Sequence, residues 1–227
     1  MGDTIKTAIL IDGGYYRKRA NHLFGEKSPE ERAEEIVHYC NMHLKQGKEM
    51  YSFLYRVFYY DCPPCDKTIY HPFLKRNVNL KKQDIYGWMT TFINALKSKR
   101  KFAIRLGRLS DNDAGYTLKP NIAKDLYSGK IKFEDITESD FILNIKQKTM
   151  DMKIGTDIAS MVLKKQVDQI VLIAGDSDFV PAAKMARREG VDFILDPMGQ
   201  RINPDLNEHI DGIRSKIKSF IPKDGDA

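Results

Sequence analysis

The stretch at residues 169–178 constrains the fold more than any other. Gln169 is followed by Ile-Val-Leu-Ile-Ala without a polar interruption, and Gly175-Asp176-Ser177-Asp178 closes the run. An alternating strand would offer one polar face to water, and this one has none. It must be covered on both sides, which is the situation of a strand inside a parallel sheet. Phe179, Ala182, Ala183 and Ala186 follow at helical spacing. Such small residues let a helix lie close against a sheet.

The rest of the chain repeats the alternation. Residues 5–11 form a short apolar run that ends in Asp12-Gly13-Gly14, a strand followed by a glycine turn. Ser28-Pro29-Glu30-Glu31 predicts a helix start, with Ser28 as N-cap, Pro29 in the first turn and Glu31 completing a capping box. Ala33, Ile36, Val37, Cys40 and Leu44 continue along one face of that helix. Residues 53–60 are aromatic and β-branched and end at Asp61-Cys62-Pro63-Pro64, a second strand. Ile85, Trp88, Met89, Phe92, Ile93 and Leu96 make another helical stripe. Residues 102–109 read as a third strand, residues 141–148 as a strand returning beside it, residues 155–165 as a helix and residues 191–195 as a further strand. Leu206, Ile210, Ile213, Ile217 and Phe220 are spaced for a final helix over about 205–220. Residues 110–140 are polar and rich in turn formers and read as an insertion with some local helix. The expectation is one α/β domain over residues 1–227, a mostly parallel sheet with helices on both faces.

With 227 residues and 42% hydrophobic content the chain can bury a full core. Its apolar runs are far shorter than the ~20 residues of a bilayer span. The N-terminal stretch reads as a strand and not as a signal peptide. Three cysteines do not make a disulfide framework, which points to a reducing, cytoplasmic setting. Lys and Arg exceed Asp and Glu, 37 against 31, so the formal charge of +6 permits nucleic-acid binding without demanding it.

In open α/β sheets ligands bind beyond the carboxyl ends of the strands. Asp12 ends the first strand, and Asp176 and Asp178 follow the 169–174 strand. Asp151 precedes the next helix, and Asp157 falls beside its apolar stripe near Ile154 and Met161, where a solvated face would not need a carboxylate. Five carboxylates on one rim repel one another unless a cation relieves them. All-oxygen ligation suits Mg²⁺ or Mn²⁺. Such an ion can activate water and stabilise charge on a phosphodiester. Arg17, Lys146, Lys148, Arg187 and Arg188 stand close to these elements in sequence and could offset the acidic rim toward RNA, with Tyr15 available to stack. Each aspartate also has a plain reading as a helix cap or dipole partner; their joint placement favours the site.

Other motifs are weaker. Asp61 ends a strand, but the prolines behind it suggest a loop. Cys62-Pro63-Pro64-Cys65 has no helix start to activate a thiol and no fourth zinc ligand, so it reads as a loop too. Asp111-Asn112-Asp113-Ala114-Gly115 lacks the acidic twelfth position of a calcium loop and reads as a turn. Gly13-Gly14 belongs to no phosphate-binding loop. A phosphatase with two aspartates in Asp-x-Asp spacing is disfavoured because Gly14 stands in the second place.

Three ordered segments resemble the NYN domain of the PIN-like nuclease superfamily, with the LabA-like branch the nearest in pattern. They are Ile9-Leu10-Ile11-Asp12-Gly13-Gly14-Tyr15, Lys148-Thr149-Met150-Asp151 with Asp157, and Leu172-Ile173-Ala174-Gly175-Asp176-Ser177-Asp178-Phe179. The resemblance extends over about residues 5–197 and implies a Rossmann-like (PIN-like) sheet. It also implies a metal-dependent ribonuclease in which Asp12, Asp151, Asp176 and Asp178 are catalytic and bind Mg²⁺ or Mn²⁺, with Asp157 an additional ligand. The family often has Asp-Gly-x-Asn after the first strand; here Tyr15 stands where the Asn would be. A non-catalytic RNA-binding module with the same pocket is the competing expectation. Both take RNA as partner, neither needs a membrane, and both leave room for a homo-oligomer.

Overall fold

The computed structural model describes residues 5–46, 50–110, 114–145, 147–175 and 177–220. They divide into two compact units. The first comprises Met1–Asp61, Thr91–Gly107 and Thr149–Ala227; the second comprises Cys62–Thr90 and Arg108–Lys148.

The first unit is built on a six-stranded sheet. Its strands are β1 (Lys6–Asp12), β2 (Phe53–Asp61), β3 (Phe102–Leu106), β4 (Gln169–Ile173), β5 (Asp192–Asp196) and β6 (Gly212–Ile213). They lie in the order β6-β5-β4-β1-β2-β3, and every neighbouring pair is parallel. This is the doubly wound order, in which the chain starts at the centre and winds first to one side, then to the other. The reversal falls between β1 and β4, where Ile11 pairs with Ile173.

The helices are α1 (Gly13–Phe24), α2 (Pro29–Leu44), α3 (Asp84–Lys97), α4 (Met150–Leu163) and α5 (Val180–Arg188). Side chains alternate along each strand, so both faces of the sheet need cover. Ala8, Leu10, Phe58, Tyr60, Ile170, Leu172, Phe193 and Leu195 form one buried cluster with Ile154, Ile158, Met161 and Val162 of α4 and Ala183 and Ala186 of α5. Ile9, Ile11, Val57, Tyr59, Val171 and Ile173 are buried on the other face, as are Tyr16 and Ala20 of α1, Ile36, Tyr39 and Cys40 of α2, and Phe92, Ile93 and Leu96 of α3. The rings of Tyr59 and Phe92 meet edge to face at 5.7 Å. The capping box of α2 is present: Ser28 accepts from the Glu31 N–H, and the Glu31 carboxylate accepts from the Ser28 N–H.

The second unit holds two four-residue antiparallel ribbons, Thr68–His71 with Arg76–Asn79 and Gly115–Leu118 with Phe141–Asn144, and a short helix over Pro120–Tyr127. Three expectations change here. The polar segment is not a self-contained insertion over 110–140, because residues 62–90 fold with it. The strand expected over 102–109 divides into β3 and a two-residue piece, Arg108–Leu109, which pairs with Gln147–Lys148. The strand at Phe141–Asn144 pairs with Gly115–Leu118 and not with β3. Apolar content and turn residues are local properties, whereas strand partners are a long-range property that local pattern leaves open.

The helix expected over 205–220 is also corrected. Only Pro204–Asn207 and Ile217–Phe220 are helical, and β6 lies between them. The Asp211 N–H donates to the Phe193 carbonyl, the Asp211 carboxylate accepts from the Phe193 N–H and from Arg187, and the Arg214 N–H donates to the Leu195 carbonyl. Those bonds draw residues 211–214 out beside β5 as an edge strand. Leu206 and Ile210 are buried as their spacing suggests, whereas Ile213 is half exposed.

Candidate functional site

The doubly wound order directs attention to the carboxyl ends of β1 and β4, where the chain reverses direction across the sheet. Asp12 is the last residue of β1 and the N-cap of α1. Its Oδ1 accepts a hydrogen bond from the Tyr15 N–H at 3.0 Å. Asp61 is the last residue of the neighbouring β2, where Asp12 pairs with Tyr60. Its carboxylate is buried and accepts from both Nε and Nη2 of Arg17, each at 3.0 Å, and from the Tyr59 hydroxyl at 3.0 Å. Gly13 makes this possible. A Cβ there would stand 2.4 Å from Tyr59 Cζ and 2.7 Å from Asp61 Oδ2, closer than atoms pack.

The Asp12 carboxyl titrates above its ordinary range. Burial is the main cause, the charges of Asp61 and Asp151 add to it, and the Tyr15 and Gly14 N–H groups partly offset it. Asp151 lies on the exposed first turn of α4. That helix begins after Thr149, whose φ of 74° is left-handed and strained for a β-branched residue.

Tyr15 bridges the reversal point. Its ring lies against Gly175, where a Cβ would stand 2.3 Å from Tyr15 Cε2, and its hydroxyl donates to the Pro197 carbonyl. Arg19 donates to the Met198 carbonyl in the same loop. Asp196 holds that loop from beneath: its Oδ1 accepts the Met198 N–H, and its Oδ2 takes the Tyr39 hydroxyl at 2.6 Å and His43 Nε2 at 2.9 Å. Asp196, Tyr39 and His43 are wholly buried. Burial holds the His43 pKa below its usual value, with Asp196 opposing that shift.

The structure therefore brings Asp12 and Asp151 within electrostatic reach of one another and adds Asp61, whose following prolines suggest only a loop. Asp176 lies outside the described residues, directly after Gly175. Asp178 is exposed in a single turn of 3₁₀ helix, Ser177–Phe179. Asp157 sits beside buried Ile154 and Met161 as expected, but its Oδ2 already accepts from the Tyr60 hydroxyl and Arg105 Nε, both at 2.9 Å. Among the described residues, no three acidic, histidine or cysteine side chains gather closely enough to hold a metal ion.

The basic residues are placed unevenly. Arg17 turns its guanidinium to Asp61, so it braces the acidic corner from within. Arg187 pairs with Asp211 and donates to the Glu208 carbonyl. Arg187 and Arg188 line an open groove with Lys184 and His209 where α5 ends and β5 begins. In a parallel sheet that is the edge opposite Asp12, so proximity in sequence is a poor guide to them. Lys146 lies outside the described residues, as does the turn at 111–113, and of Lys148 only the backbone is described, in its short ribbon. Tyr59 and Tyr60 are buried in the core. Cys62 and Cys65 are unbridged and lie in an irregular segment.

The model of the NYN domain matches residues 70–202, more than half of the chain. This chain belongs to the NYN domain family. The match takes in Asp151, Asp157, Asp176 and Asp178 and starts after Asp12 and Asp61, so it is narrower than the 5–197 span suggested by motifs. No curated protein matches the chain. A crystal structure of a protein of unknown function from Vibrio parahaemolyticus is 13% identical to it, over 95% of this chain and 94% of that one, with a TM-score of 0.45. No helix among the described residues is long and apolar enough to cross a membrane.

Proposed function

We propose that this NYN domain protein, which its motifs group with the LabA-like branch, is a metal-dependent ribonuclease working at the carboxyl ends of β1 and β4. The NYN family is a PIN-like nuclease family, and the six-stranded parallel sheet agrees with that fold. The observation that carries the reading is the corner at Asp12. A half-buried carboxylate at the end of the central strand faces the charges of Asp61 and Asp151 at the topological switch point.

The donor set fits Mg²⁺ or Mn²⁺. Both prefer oxygen, and Mg²⁺ commonly takes only one or two carboxylates and keeps several waters, so a closed protein cage is not required. Asp12 and Asp151 would hold the ion with Asp176 and Asp178 from the β4 side. When bound, it supplies an activated water and charge stabilisation at a phosphodiester. The chain's own residues then have separate tasks. Arg17 and Tyr59 fix Asp61, so its charge stands beside Asp12 without being free to rotate. The Tyr15 ring packs on Gly175 and fixes the end of the β4 segment there. Asp157, with Arg105 and Tyr60, anchors α4 and so positions Asp151.

The alternative of an RNA-binding module without catalysis draws on the lack of a three-acid cluster among the described residues. One experiment separates the two: incubating a mixed RNA pool with Mn²⁺, with Mg²⁺ and with EDTA, for the natural protein and for Asp176→Asn. The nuclease reading expects cleavage with metal only, reduced at least ~100-fold in the variant, about 2.7 kcal/mol of transition-state stabilisation. RNA retention without cleavage in every arm would favour the binding module.

A further inference from the structure

The second unit carries chemistry that the corner at Asp12 does not use. Its two ribbons bring His71, Phe73, Tyr116 and Phe141 together as a tiered aromatic surface. The rings of His71 and Tyr116 are 4.1 Å apart, those of His71 and Phe141 5.3 Å, and those of Phe73 and Phe141 6.0 Å. His71 is buried and supports the others, with its Nδ1 accepting from the Leu74 N–H. Tyr116 and Phe141 remain part-exposed and Phe73 is 43% exposed. Single exposed apolar residues are ordinary; a cluster of rings open to solvent marks a binding surface.

The rings of His71, Tyr116 and Phe141 line a cavity of about 510 Å³ whose other walls include Arg76, Gln83, Glu138 and Ser139, and Phe73 packs on Phe141 beside them. Its volume lies in the range of pockets that hold a small organic ligand. Its chemistry is a floor of tilted aromatic rings with an amide, a carboxylate and a guanidinium in its walls. Lys75, Arg76, Lys81 and Lys82 are all exposed along the adjoining ribbon and turn, where the acidic residues are Asp66 and Asp84. Rings interleaved with cations suit the bases and phosphates of a single strand, whose unpaired bases offer both a face and a Watson–Crick edge.

We propose that this pocket binds an unpaired base of single-stranded RNA, stacked on Tyr116 and Phe141, with Gln83 and Glu138 at its edge and Arg76 on the flanking phosphate. This deepens the ribonuclease reading by giving the RNA a base-binding pocket in the second unit, and it rests on RNA being the partner.

The test uses the full chain and a fluorescein-labelled eight-nucleotide single-stranded RNA in EDTA, where metal-dependent cleavage is absent. Fluorescence anisotropy should show Kd rising at least ~10-fold for Phe73→Ala/Arg76→Ala, both exposed positions, and for Gln83→Ala/Glu138→Ala. Tyr127→Ala, an exposed ring of the same unit outside the pocket, should leave Kd unchanged. Unlabelled duplex RNA should compete poorly. Photo-crosslinking with a 4-thiouridine strand should label peptides that contain Phe73, Tyr116 or Phe141. Unchanged affinity in both double variants, crosslinks confined to the first unit, or equal competition by duplex would overturn the proposal. Base binding here without cleavage would remove the nuclease reading and leave this site standing. Cleavage with binding indifferent to these variants would do the reverse.

Discussion

Asp12 has two tasks that different substitutions separate. Its Oδ1 caps α1 through the Tyr15 N–H, and its charge contributes to the acidic corner. Asparagine keeps the cap, since Asn and Asp are comparable at that position, whereas alanine removes it at about 1 kcal/mol. In a domain of this size 1 kcal/mol corresponds to about 2–4 °C in Tm. Metal-free Asp12→Asn should therefore melt about 2–4 °C above Asp12→Ala by circular dichroism. The charge acts in the other direction. A carboxyl with a raised pKa in the folded protein contributes stability that is fully present below its unfolded value of 3.8 and is lost as pH rises through the folded pKa. As pH rises that benefit fades, because burial and then the charges of Asp61 and Asp151 disfavour the ionised carboxylate. Asp12→Asn has no such ionisation, so at pH 7 it should melt no lower than the natural protein. Its margin over the natural protein should shrink as pH falls toward 4. Cleavage should drop at least ~100-fold in both variants, about 2.7 kcal/mol. Equal melting of the two variants would refute the cap, and full cleavage by Asp12→Asn would refute the role of the charge.

Gly13→Ala should destabilise the fold by about 1–3 kcal/mol, the usual cost of overpacking. Its Cβ would meet Tyr59 and Asp61, both buried and hydrogen-bonded to each other; urea unfolding measures this, and a natural midpoint would show that the corner can open. His43 should make stability fall in mild acid. Burial lowers its folded pKa from 6.5, so its contribution is complete above pH 6.5 and is lost as pH falls through 6.5 toward the folded value. The loss approaches ~1.4 kcal/mol per pH unit. Its Nδ1 has no partner among the described residues, so a proton there would be buried without an acceptor. Comparing urea midpoints at pH 7.5 and 5.5 for the natural protein and His43→Gln checks it; the same fall in both would place the pH dependence elsewhere.

The parallel sheet was legible because its signals are local. An uninterrupted apolar strand over 169–174 can only be buried, and the Ser28 capping box is complete within four residues. The C-terminal helix was misread for the opposite reason. Leu206, Ile210, Ile213, Ile217 and Phe220 keep helical spacing, but Asp211 pairs with the backbone of Phe193, 18 residues away, and draws the segment into the sheet. The second unit was only half visible because its two ribbons come from stretches separated by α3 and β3.

Asp61 and Asp157 show why a site is harder to read than a fold. On the sequence alone, Asp157 looked functional, being a carboxylate beside an apolar stripe, and Asp61 looked incidental, being followed by prolines. The sheet order exchanges their standing. Placing β2 next to β1 sets Tyr60 opposite Asp12, so the residue after Tyr60 comes to the same corner. The same neighbour brings the Tyr60 hydroxyl, and β3 brings Arg105, to the carboxylate of Asp157. An ion pair is a sufficient reason for a partly buried carboxylate, and it depends on an arginine 52 residues away that no helical periodicity can reveal. Asp61 has its own arginine, yet Arg17 arises from α1, the helix that Asp12 caps. Neutralising Asp61 thus ties the first turns of α1 to the end of β2 and fixes the helix start that presents Asp12. Asp61 therefore acts on the corner through Arg17 and Gly13, with its oxygens engaged by Arg17 and Tyr59.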